Sequence, residues 1–295
     1  MPRPILVGTG EVLWDMLPGG RQLGGAPANF AYHASALGAD GVVVSRVGND
    51  DLGREIIRRL NALGLETRYV RRDADHPTGR VDVRLDADGV PEYVIHEPAA
   101  WDFITVDAEL LDLARGADAV CFGTLAQRSP VSRDSIRSFL LATRPDCLRV
   151  FDVNLRQSYF DERTVRELMR LSNVLKLNDA ELPVAARLLR IAGDTADVVR
   201  RLFAVYPLRA IALTRGPHGS VLYTRDRTFD HPGYQGTVVV DTVGAGDAFT
   251  AALVLGLQKG EPLERINDFA NRLAAYVCSQ PGATPAIPAE LLSRG

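Results

Sequence analysis

The sequence contains little of what identifies several common functional classes. Its 295 residues include three cysteines, and the formal net charge is −3. Cys121, Cys147 and Cys278 are too few and too far apart for a disulfide framework or a zinc site. Lysine occurs only twice, and the arginines form no long basic run. The slight negative charge therefore argues against a nucleic-acid partner.

Long hydrophobic runs are missing as well. The first apolar run, Ile5 to Val7, is too short for a signal peptide. No segment approaches the roughly 18 apolar residues of a membrane-spanning helix. These absences predict a cytoplasmic protein that has no membrane partner.

Two nucleotide-binding fingerprints also fail. The motif G-x-G-x-x-G would need a third glycine where Leu13 and Phe249 stand. The phosphate-binding motif G-x-x-x-x-G-K-[ST] is absent. A nicotinamide-dependent oxidoreductase and a P-loop enzyme are therefore disfavoured.

Hydrophobic periodicity predicts an α/β fold. Short apolar strands alternate with amphipathic helices along most of the chain, which is typical of a parallel sheet covered by helices. Between residues 67 and 103 a hairpin interrupts this alternation, with strands at 78–85 and 91–96 and a turn at 86–89. We expect a single domain over residues 1–295, with a β lid formed by about 11–22 and 78–102.

The most informative stretch is 238–250, Val-Val-Val-Asp-Thr-Val-Gly-Ala-Gly-Asp-Ala-Phe-Thr. Its three valines predict a buried strand, and a helical pattern follows the small residues. The turn between them would place the N–H groups of Gly244, Ala245 and Gly246 at a helix N-terminus, where they can bind an anion. Asp247 would repel a phosphate there unless it accepts a proton from an attacking hydroxyl. The alternative is an acidic residue that only stabilises the helix start.

The motif D-T-V-G-A-G-D-A-F at 241–249 resembles the C-terminal signature of the ribokinase-like (pfkB) carbohydrate kinases. An N-terminal partner motif, G-G-A-P-A-N at 24–29, and further motifs at 152–156, 178–181 and 214–219 match that family's spacing. The resemblance covers essentially the whole chain and looks closest to the bacterial fructokinase branch. It implies a three-layer α/β/α sandwich with a mostly parallel central sheet and a small β-sheet lid.

The activity implied by this resemblance is transfer of the γ-phosphate of ATP to a sugar hydroxymethyl group, with D-fructose as the expected acceptor. Such transfer needs a base, donors for the moving phosphoryl group and Mg²⁺ on the nucleotide. Asp247 would be the base, and the N–H groups of residues 244–246 would stabilise the transferred charge. The alternatives are 2-keto-3-deoxygluconate, ribose or a nucleoside as substrate, and a non-catalytic sugar-binding regulator. Ribokinases usually carry a lysine where Ala26 and Pro27 stand, which disfavours ribose.

On the sugar side, the resemblance assigns contacts to Asp15, Gly24, Gly25, Asn29 and Arg156. The glycines would let a sugar approach the backbone. Asp15 ends an apolar stretch, where an unpaired carboxylate is costly, so it would bind sugar hydroxyls or pair with an arginine. Asn29 would direct its amide to the sugar or cap a helix. Arg156 would clamp an oxygen of a phosphate or of the substrate, or lie on the surface.

On the nucleotide side, the resemblance implies contacts from Asn178, Thr214, Gly216, Gly219 and Asn271. In this family, a pair such as Asn178 and Glu181 organises Mg²⁺ through water, together with the nucleotide phosphates. The two residues are three apart and share a helical face, so a capping pair is the alternative.

Two further expectations concern an ion and the lid. Asp241, the carbonyl of Val243 and Gly282 resemble the family's site for a monovalent cation, and K⁺ there would rigidify the anion-binding turn. Trp101 would either cover a sugar face or fasten the lid to the main domain. An exposed apolar face of the lid hairpin would favour a homodimer.

Overall fold

A computed structural model describes residues 2–17, 19–85 and 91–292 of the protein. Strands and helices alternate over most of that length, as the hydrophobic pattern predicts. The strands are β1 (Ile5–Thr9), β2 (Leu13–Leu17), β3 (Gly20–Gly24), β4 (Asp40–Gly48), β5 (Val70–Asp73), β6 (Gly79–Leu85), β7 (Pro91–Ile95), β8 (Ala119–Phe122), β9 (Leu148–Asp152), β10 (Val174–Asn178), β11 (Ala210–Thr214), β12 (Ser220–Tyr223) and β13 (Thr228–His231). The helices are α1 (Ala26–Ala36), α2 (Asp51–Ala62), α3 (Ala108–Gly116), α4 (Pro130–Ala142), α5 (Glu162–Leu171), α6 (Glu181–Leu189), α7 (Thr195–Val205), α8 (Ala245–Gln258), α9 (Leu263–Cys278) and α10 (Ala289–Leu292).

Nine of the strands form one sheet in the order β13-β12-β11-β10-β9-β8-β1-β4-β5. Neighbouring strands from β11 to β5 are parallel, and β12 and β13 add two antiparallel strands at one edge. Parallel neighbours need long crossover connections, and the helices between these strands supply them. All parallel strands therefore end at the same edge of the sheet.

Alternate residues of the central strands are buried on opposite faces of this sheet. Leu6 and Val150 pack in one core with residues of α8 and α9. Val7 and Phe151, one residue further along, pack in a second core with residues of α3 to α7. This period-two alternation covers both faces with helices and confirms the predicted three-layer α/β/α sandwich. None of the described helices is both long and apolar enough to span a membrane.

A second, four-stranded sheet has the order β3-β2-β6-β7. Strand β2 pairs antiparallel with β3 and parallel with β6, and β6 and β7 form the predicted hairpin. The turn predicted at 86–89 lies outside the described residues. Trp101 is fully buried beside this sheet, where a Cβ atom on Gly79 would lie 2.3 Å from its Nε1 atom. The guanidinium carbon of Arg128 lies 3.9 Å from the centre of the Trp101 ring. Trp101 therefore fastens the small sheet to the main domain and is not open to a sugar in this structure.

The prediction of a buried strand at 238–240 is wrong. The three valines are irregular and are 76%, 61% and 60% exposed. The N–H groups of Val240 and Asp241 both donate to the carbonyl of Cys278, at the end of α9. The pattern also gives no indication of β3, β5 and β13, three short outer strands that carry polar residues and are only partly buried. Such strands are less buried and carry polar residues, so their hydrophobic alternation is weak.

Candidate active site

The carboxyl edge of the large sheet faces the first turns of α1 and α8. Strand β1 leads there to Glu11, β9 ends at Asp152, and β10 carries Lys176 and Asn178. Open parallel sheets bind ligands at this edge, where loops and helix N-termini supply polar groups. Most of the residues that the sequence singles out lie along it.

The turn before α8 has the geometry that the small residues predict. Gly244 precedes the helix with φ of 79°, a left-handed conformation that favours glycine. A Cβ atom on Gly244 would lie 2.4 Å from the carbonyl oxygen of Ala283. The first N–H groups of a helix have no partner within the helix, although that of Ala245 makes a long 3.4 Å bond to the Thr242 carbonyl. The turn therefore directs partial positive charge toward the sheet edge.

Asp247 lies in the first turn of α8 and is held from the opposite helix. The amide nitrogen of Asn29, a buried residue of α1, donates to Asp247 Oδ2 at 2.8 Å. Burial, and next the negative charge of Asp152, raise the pKa of Asp247 to about 7. The carboxylate is thus poised to gain or lose a proton near neutral pH. Asn29 contacts this carboxylate, which is a third role besides the two that the sequence suggests.

A buried ion pair lies beneath the turn. Lys176 Nζ is 3.1 Å from Asp152 Oδ1, and the hydroxyl of Thr250 donates to Asp152 Oδ2 at 3.1 Å. The Thr250 hydroxyl also lies 2.9 Å from the carbonyl oxygen of Gly246. A Cβ atom on Gly246 would be 3.1 Å from Lys176 Nζ. The positive charge of this lysine therefore lies directly behind the residues that present N–H groups to the site.

Three more ionisable side chains belong to the part of the site where the sequence predicts sugar binding. Glu11 is buried, and burial raises its pKa to about 7. Burial likewise raises the pKa of Asp15 to about 6. Arg156 is exposed, and its charge lowers the pKa of Glu11, Asp15 and Asp247. The described residues provide no ion pair for Asp15, so the arginine partner that the sequence leaves open is not found among them.

The two glycines of the N-terminal motif are required by close packing. Gly25 has φ of 120°, and a Cβ atom there would lie 2.5 Å from the carbonyl oxygen of Glu11. A Cβ atom on Gly24 would lie 2.4 Å from Asp15 Oδ2. Glycine at these positions lets the start of α1 approach the loop after β1 and leaves room for the Asp15 carboxylate.

Asn178 and Glu181 form a reciprocal cap at the start of α6. Asn178 Oδ1 accepts the Glu181 N–H at 2.8 Å, and Glu181 Oε2 accepts the Asn178 N–H at 2.8 Å. The second oxygen of Glu181 accepts the N–H of Leu155 at 3.0 Å. The capping alternative is therefore present in the structure. A carboxylate has about four acceptor positions, so this pairing leaves others for water.

The remaining nucleotide-side residues lie around β11 and β12. Thr214 ends β11, and its hydroxyl is 3.4 Å from the Leu177 carbonyl. Gly216 and Gly219 have φ of 54° and 76° in the loop that follows. Asn271 is buried, and its amide nitrogen donates to the Ser220 hydroxyl at 2.8 Å. The two loop glycines follow the end of β11 at the sheet edge. The Asn271 amide is instead hydrogen-bonded inside the protein.

The structure brings together the three residues of the expected monovalent-cation site. Asp241 Oδ1 accepts the N–H of Val243 at 3.0 Å, and its Oδ2 accepts the N–H of Gly282 at 3.1 Å. A cation would have to share these oxygens with the two N–H groups. Within the described ranges there is no cluster of three or more His, Cys, Asp or Glu side chains that could hold a metal.

Known proteins are similar to this chain in both fold and sequence. The profile described as pfkB family carbohydrate kinase matches residues 19–290. The chain belongs to the pfkB family of carbohydrate kinases. The kinase is 30% identical over 262 residues to a protein of Pyrococcus horikoshii named as a sugar kinase, covering 88% of this chain and 82% of that one. The ATP-bound crystal structure of that protein has a TM-score of 0.80 at 28% identity and covers 95% of this chain and 94% of that one.

Proteins named fructokinase are also similar. Fructokinase-1 of Oryza sativa subsp. japonica is 30% identical over 313 residues, covering 97% of the kinase and 95% of that protein. An ATP-bound fructokinase structure from Xylella fastidiosa has a TM-score of 0.84 at 23% identity, covering 100% and 98% of the two chains. The last likeness shows the fold, which is the ribokinase-like α/β sandwich with a small separate sheet.

Sequence reasoning missed four residues that share the site of the kinase. Glu11, Asp152, Lys176 and Thr250 are all buried at the sheet edge beside the predicted residues. Asp152 begins the motif at 152–156, and Lys176 lies just before the motif at 178–181. Their ion pair joins positions 24 residues apart, so neither motif indicates it. Lys176 in an otherwise apolar strand could have indicated this ion pair. A buried charge is costly unless an opposite charge lies nearby.

Proposed function

We propose that the kinase transfers the γ-phosphate of ATP to a hydroxymethyl group of D-fructose, with Asp247 as the general base. The main support is the position of this carboxylate, which is held by Asn29 in the first turn of α8, directly after the anion-binding turn. Phosphoryl transfer needs a base at the attacking hydroxyl and donors for the charge on the moving group. Residues 244–247 would supply both within one turn.

In this proposal, the pKa of Asp247 determines how it works. A carboxylate with a pKa of about 7 accepts a proton more readily than an ordinary aspartate. Asp247 would take the proton of the hydroxymethyl group as that oxygen attacks. The N–H groups of residues 244–246, with the charge of Lys176 behind them, would stabilise the transferred phosphoryl group.

The sugar would lie between the loop after β1 and the start of α1. Asp15 and Arg156 would bind its hydroxyl oxygens, and Gly24 and Gly25 would let it approach the backbone. We further propose that the small sheet, within about 11–22 and 78–102, closes over the sugar as a lid. Closure would exclude water, which otherwise competes as the acceptor.

ATP and Mg²⁺ would occupy the other half of the edge, near Asn178, Thr214, Gly216 and Gly219. Glu181 would hold Mg²⁺ through water, and the bound ion would neutralise charge on the phosphates. Mg²⁺ usually keeps several waters and needs few protein ligands, which fits a carboxylate with unused acceptor positions. Roles for Asn271 in nucleotide binding, and for Asp241, Val243 and Gly282 in K⁺ binding, stay predictions.

Fructose is proposed as acceptor because the N-terminal motifs resemble the fructokinase branch and a relative named fructokinase is 30% identical. The test is ADP release with fructose, ribose, 2-keto-3-deoxygluconate and adenosine, each with and without Mg²⁺. We expect the highest kcat/KM with fructose and no turnover without the metal. A different best acceptor would overturn the fructose assignment, and no turnover with any acceptor would overturn the proposed activity.

Asp247→Asn tests the base directly. We expect kcat to fall by about 10²–10⁴, the usual contribution of a general base, with little change in stability. The matched control is Asp51→Asn, which changes an exposed first-turn aspartate of α2 and should leave kcat unchanged. An Asp247→Asn variant that keeps most of its activity would show that another group accepts the proton.

A further inference from the structure

A loop at the C-terminal end of the chain is fastened by side chains that donate to its main-chain carbonyls. This C-terminal loop comprises residues 279–288, between α9 and α10. Tyr32 donates to the carbonyl of Pro285 at 2.9 Å, and His33 Nε2 lies 2.9 Å from that of Ala283. Both side chains come from α1. The helix that carries Asn29 therefore supplies two of the contacts that hold this loop, beside the bond from Tyr276 to the carbonyl of Ala286 and the bond from the Gly282 N–H to Asp241.

The fastened carbonyl lies directly behind the anion-binding turn. A Cβ atom on Gly244 would be 2.4 Å from the oxygen of Ala283, 2.7 Å from its Cα and 2.8 Å from its Cβ. Gly244 and Ala283 are thus in main-chain contact with no space between them. A shift of the Ala283 carbonyl would move Gly244, and the N–H groups of residues 244–246 would move with it.

His33 has an unusual environment for a purely structural residue. It is fully buried, and its Nδ1 atom has no hydrogen-bond partner within the described ranges. Burial lowers the pKa of His33 to about 4, so the ring is neutral at ordinary pH. A neutral ring can donate to a carbonyl only if Nε2 carries its proton. An unpaired buried nitrogen is costly, whereas an apolar side chain of similar size would avoid that cost. The Nε2–H bond to Ala283 is the contact that distinguishes histidine from such a side chain.

Asn29 and His33 are four residues apart and so lie on the same face of α1. Asn29 holds the carboxylate of Asp247, and His33 holds the carbonyl behind Gly244. One helix face therefore fixes both parts of the transfer geometry, namely the base and the turn that receives the phosphoryl charge. Catalysis by positioning depends steeply on such distances, because a displacement of about 1 Å can cost about 10²-fold in rate.

We propose that His33 is a positioning residue of the kinase, which fixes the anion-binding turn relative to Asp247 through the carbonyl of Ala283. This inference rests on the proposed function of residues 244–247. In this role His33 touches neither the substrate nor the phosphates. Its loss should therefore lower kcat and leave the KM for the sugar nearly unchanged.

The test compares three replacements at position 33. His33→Gln can place an amide N–H where Nε2 lies, whereas His33→Asn reaches only the position of Nδ1, and His33→Phe has no donor. We expect His33→Asn and His33→Phe to lower kcat about tenfold, less than the 10²–10³-fold loss when a donor to the transition state is itself removed. His33→Gln should stay within about threefold of the unchanged kinase. Tyr32→Phe, which releases the loop only at Pro285, is the matched control and should change kcat less than about twofold.

Each variant is also measured for thermal stability and for binding of ADP with aluminium fluoride, which imitates the transferring phosphoryl group. The His33→Asn and His33→Phe variants should bind this complex about tenfold more weakly than His33→Gln. If kcat falls equally in the Gln and Asn variants and follows Tm, the role of His33 is only structural and the proposal is wrong. If the unchanged kinase neither turns over a sugar nor binds the complex, the proposed function fails and this inference fails with it.

Discussion

Replacing Lys176 by methionine should raise the pH at which the kinase loses activity in acid. Asp247 can accept a proton only when it is deprotonated, so kcat/KM should rise with pH up to its pKa of about 7 and then level off. Among the charges near Asp247, Asp152 raises this pKa and Lys176 lowers it. Without Lys176, the charge of Asp152 is no longer compensated, and the acid limb should move to higher pH.

The structure gives the sign of this effect on the pKa of Asp247. Lys176 Nζ is 3.1 Å from Asp152, and both side chains are buried beneath the turn. An opposite charge within about 4–6 Å lowers a carboxyl pKa by about 1–3 units, and Lys176 contributes less than Asp152 to the shift of Asp247, so we expect the limb to move by about one pH unit, or about 1.4 kcal/mol. Asp152→Asn should move it by a similar amount in the opposite direction. Removal of both charges should leave the limb close to its original position.

Stability must be followed in the same variants. Removing one partner of a buried ion pair costs about 3–5 kcal/mol, because the other charge is left uncompensated. Urea denaturation should therefore show a large loss of unfolding free energy for Lys176→Met. The double variant Lys176→Met with Asp152→Asn should show a smaller loss. Lys259→Met is the matched control, since this second lysine is exposed and its replacement should change stability by less than about 0.5 kcal/mol.

The assay is kcat/KM for the sugar between about pH 5 and pH 9. Glu11 also has a pKa of about 7, but the charges that shift it are those of Arg156 and Asp247 and not the buried ion pair. An acid limb that stays in place in all three variants would mean that Glu11 or another group titrates there. That result would refute the assignment of the limb to Asp247.

Two further predictions concern local geometry. Gly25→Ala should destabilise the kinase by about 2–3 kcal/mol, because it combines a φ of 120° with a contact of 2.5 Å to the Glu11 carbonyl. Gly20→Ala is the control in urea denaturation, because Gly20 has φ of 132° but an added Cβ atom there would meet no described residue within 4 Å apart from its chain neighbours. An equal loss of unfolding free energy in both variants would show that the contact is unimportant. Glu181→Gln replaces one carboxylate oxygen by an NH₂ group. Where that oxygen accepts a main-chain N–H, such as that of Leu155, two donors then face each other. The substitution should cost about 1–3 kcal/mol and raise the Mg²⁺ concentration needed for half-maximal rate; a stability loss with unchanged Mg²⁺ dependence would identify a cap alone.

The sequence predicts the fold well because its main signals are local. Apolar runs and helical spacing predict the alternation of strands and helices that the structure shows, and the bounds of the hairpin strands differ from the predicted ones by one residue at most. Val238–Val240 shows the limit of this reasoning, since three β-branched residues satisfy every strand rule and yet lie exposed. Whether such a run is buried depends on a neighbouring strand, and no local pattern encodes that neighbour.

The sequence predicts the site residues that belong to motifs, but not the contacts between them. Asp247 and Asn29 are both found by motif, but their direct contact joins positions 218 residues apart and becomes visible only in the fold. The same holds for Thr250 and Asp152, which are 98 residues apart. His33 has no motif of its own, and a lone histidine on a helix is normally attributed to the core. Long-range pairing, rather than residue type, is what the sequence alone does not show.

The polarity of α8 has a practical consequence for handling the protein. This helix of 14 residues begins at the anion-binding turn and is followed at its other end by Lys259, about 20 Å away. Lys176 is buried, so Lys259 carries the one exposed side-chain amine. Coupling to the Lys259 amine would attach a surface or a dye at the end of α8 that lies away from the anion-binding turn. The kinase is therefore suited to single-molecule and surface-based binding measurements without engineered cysteines.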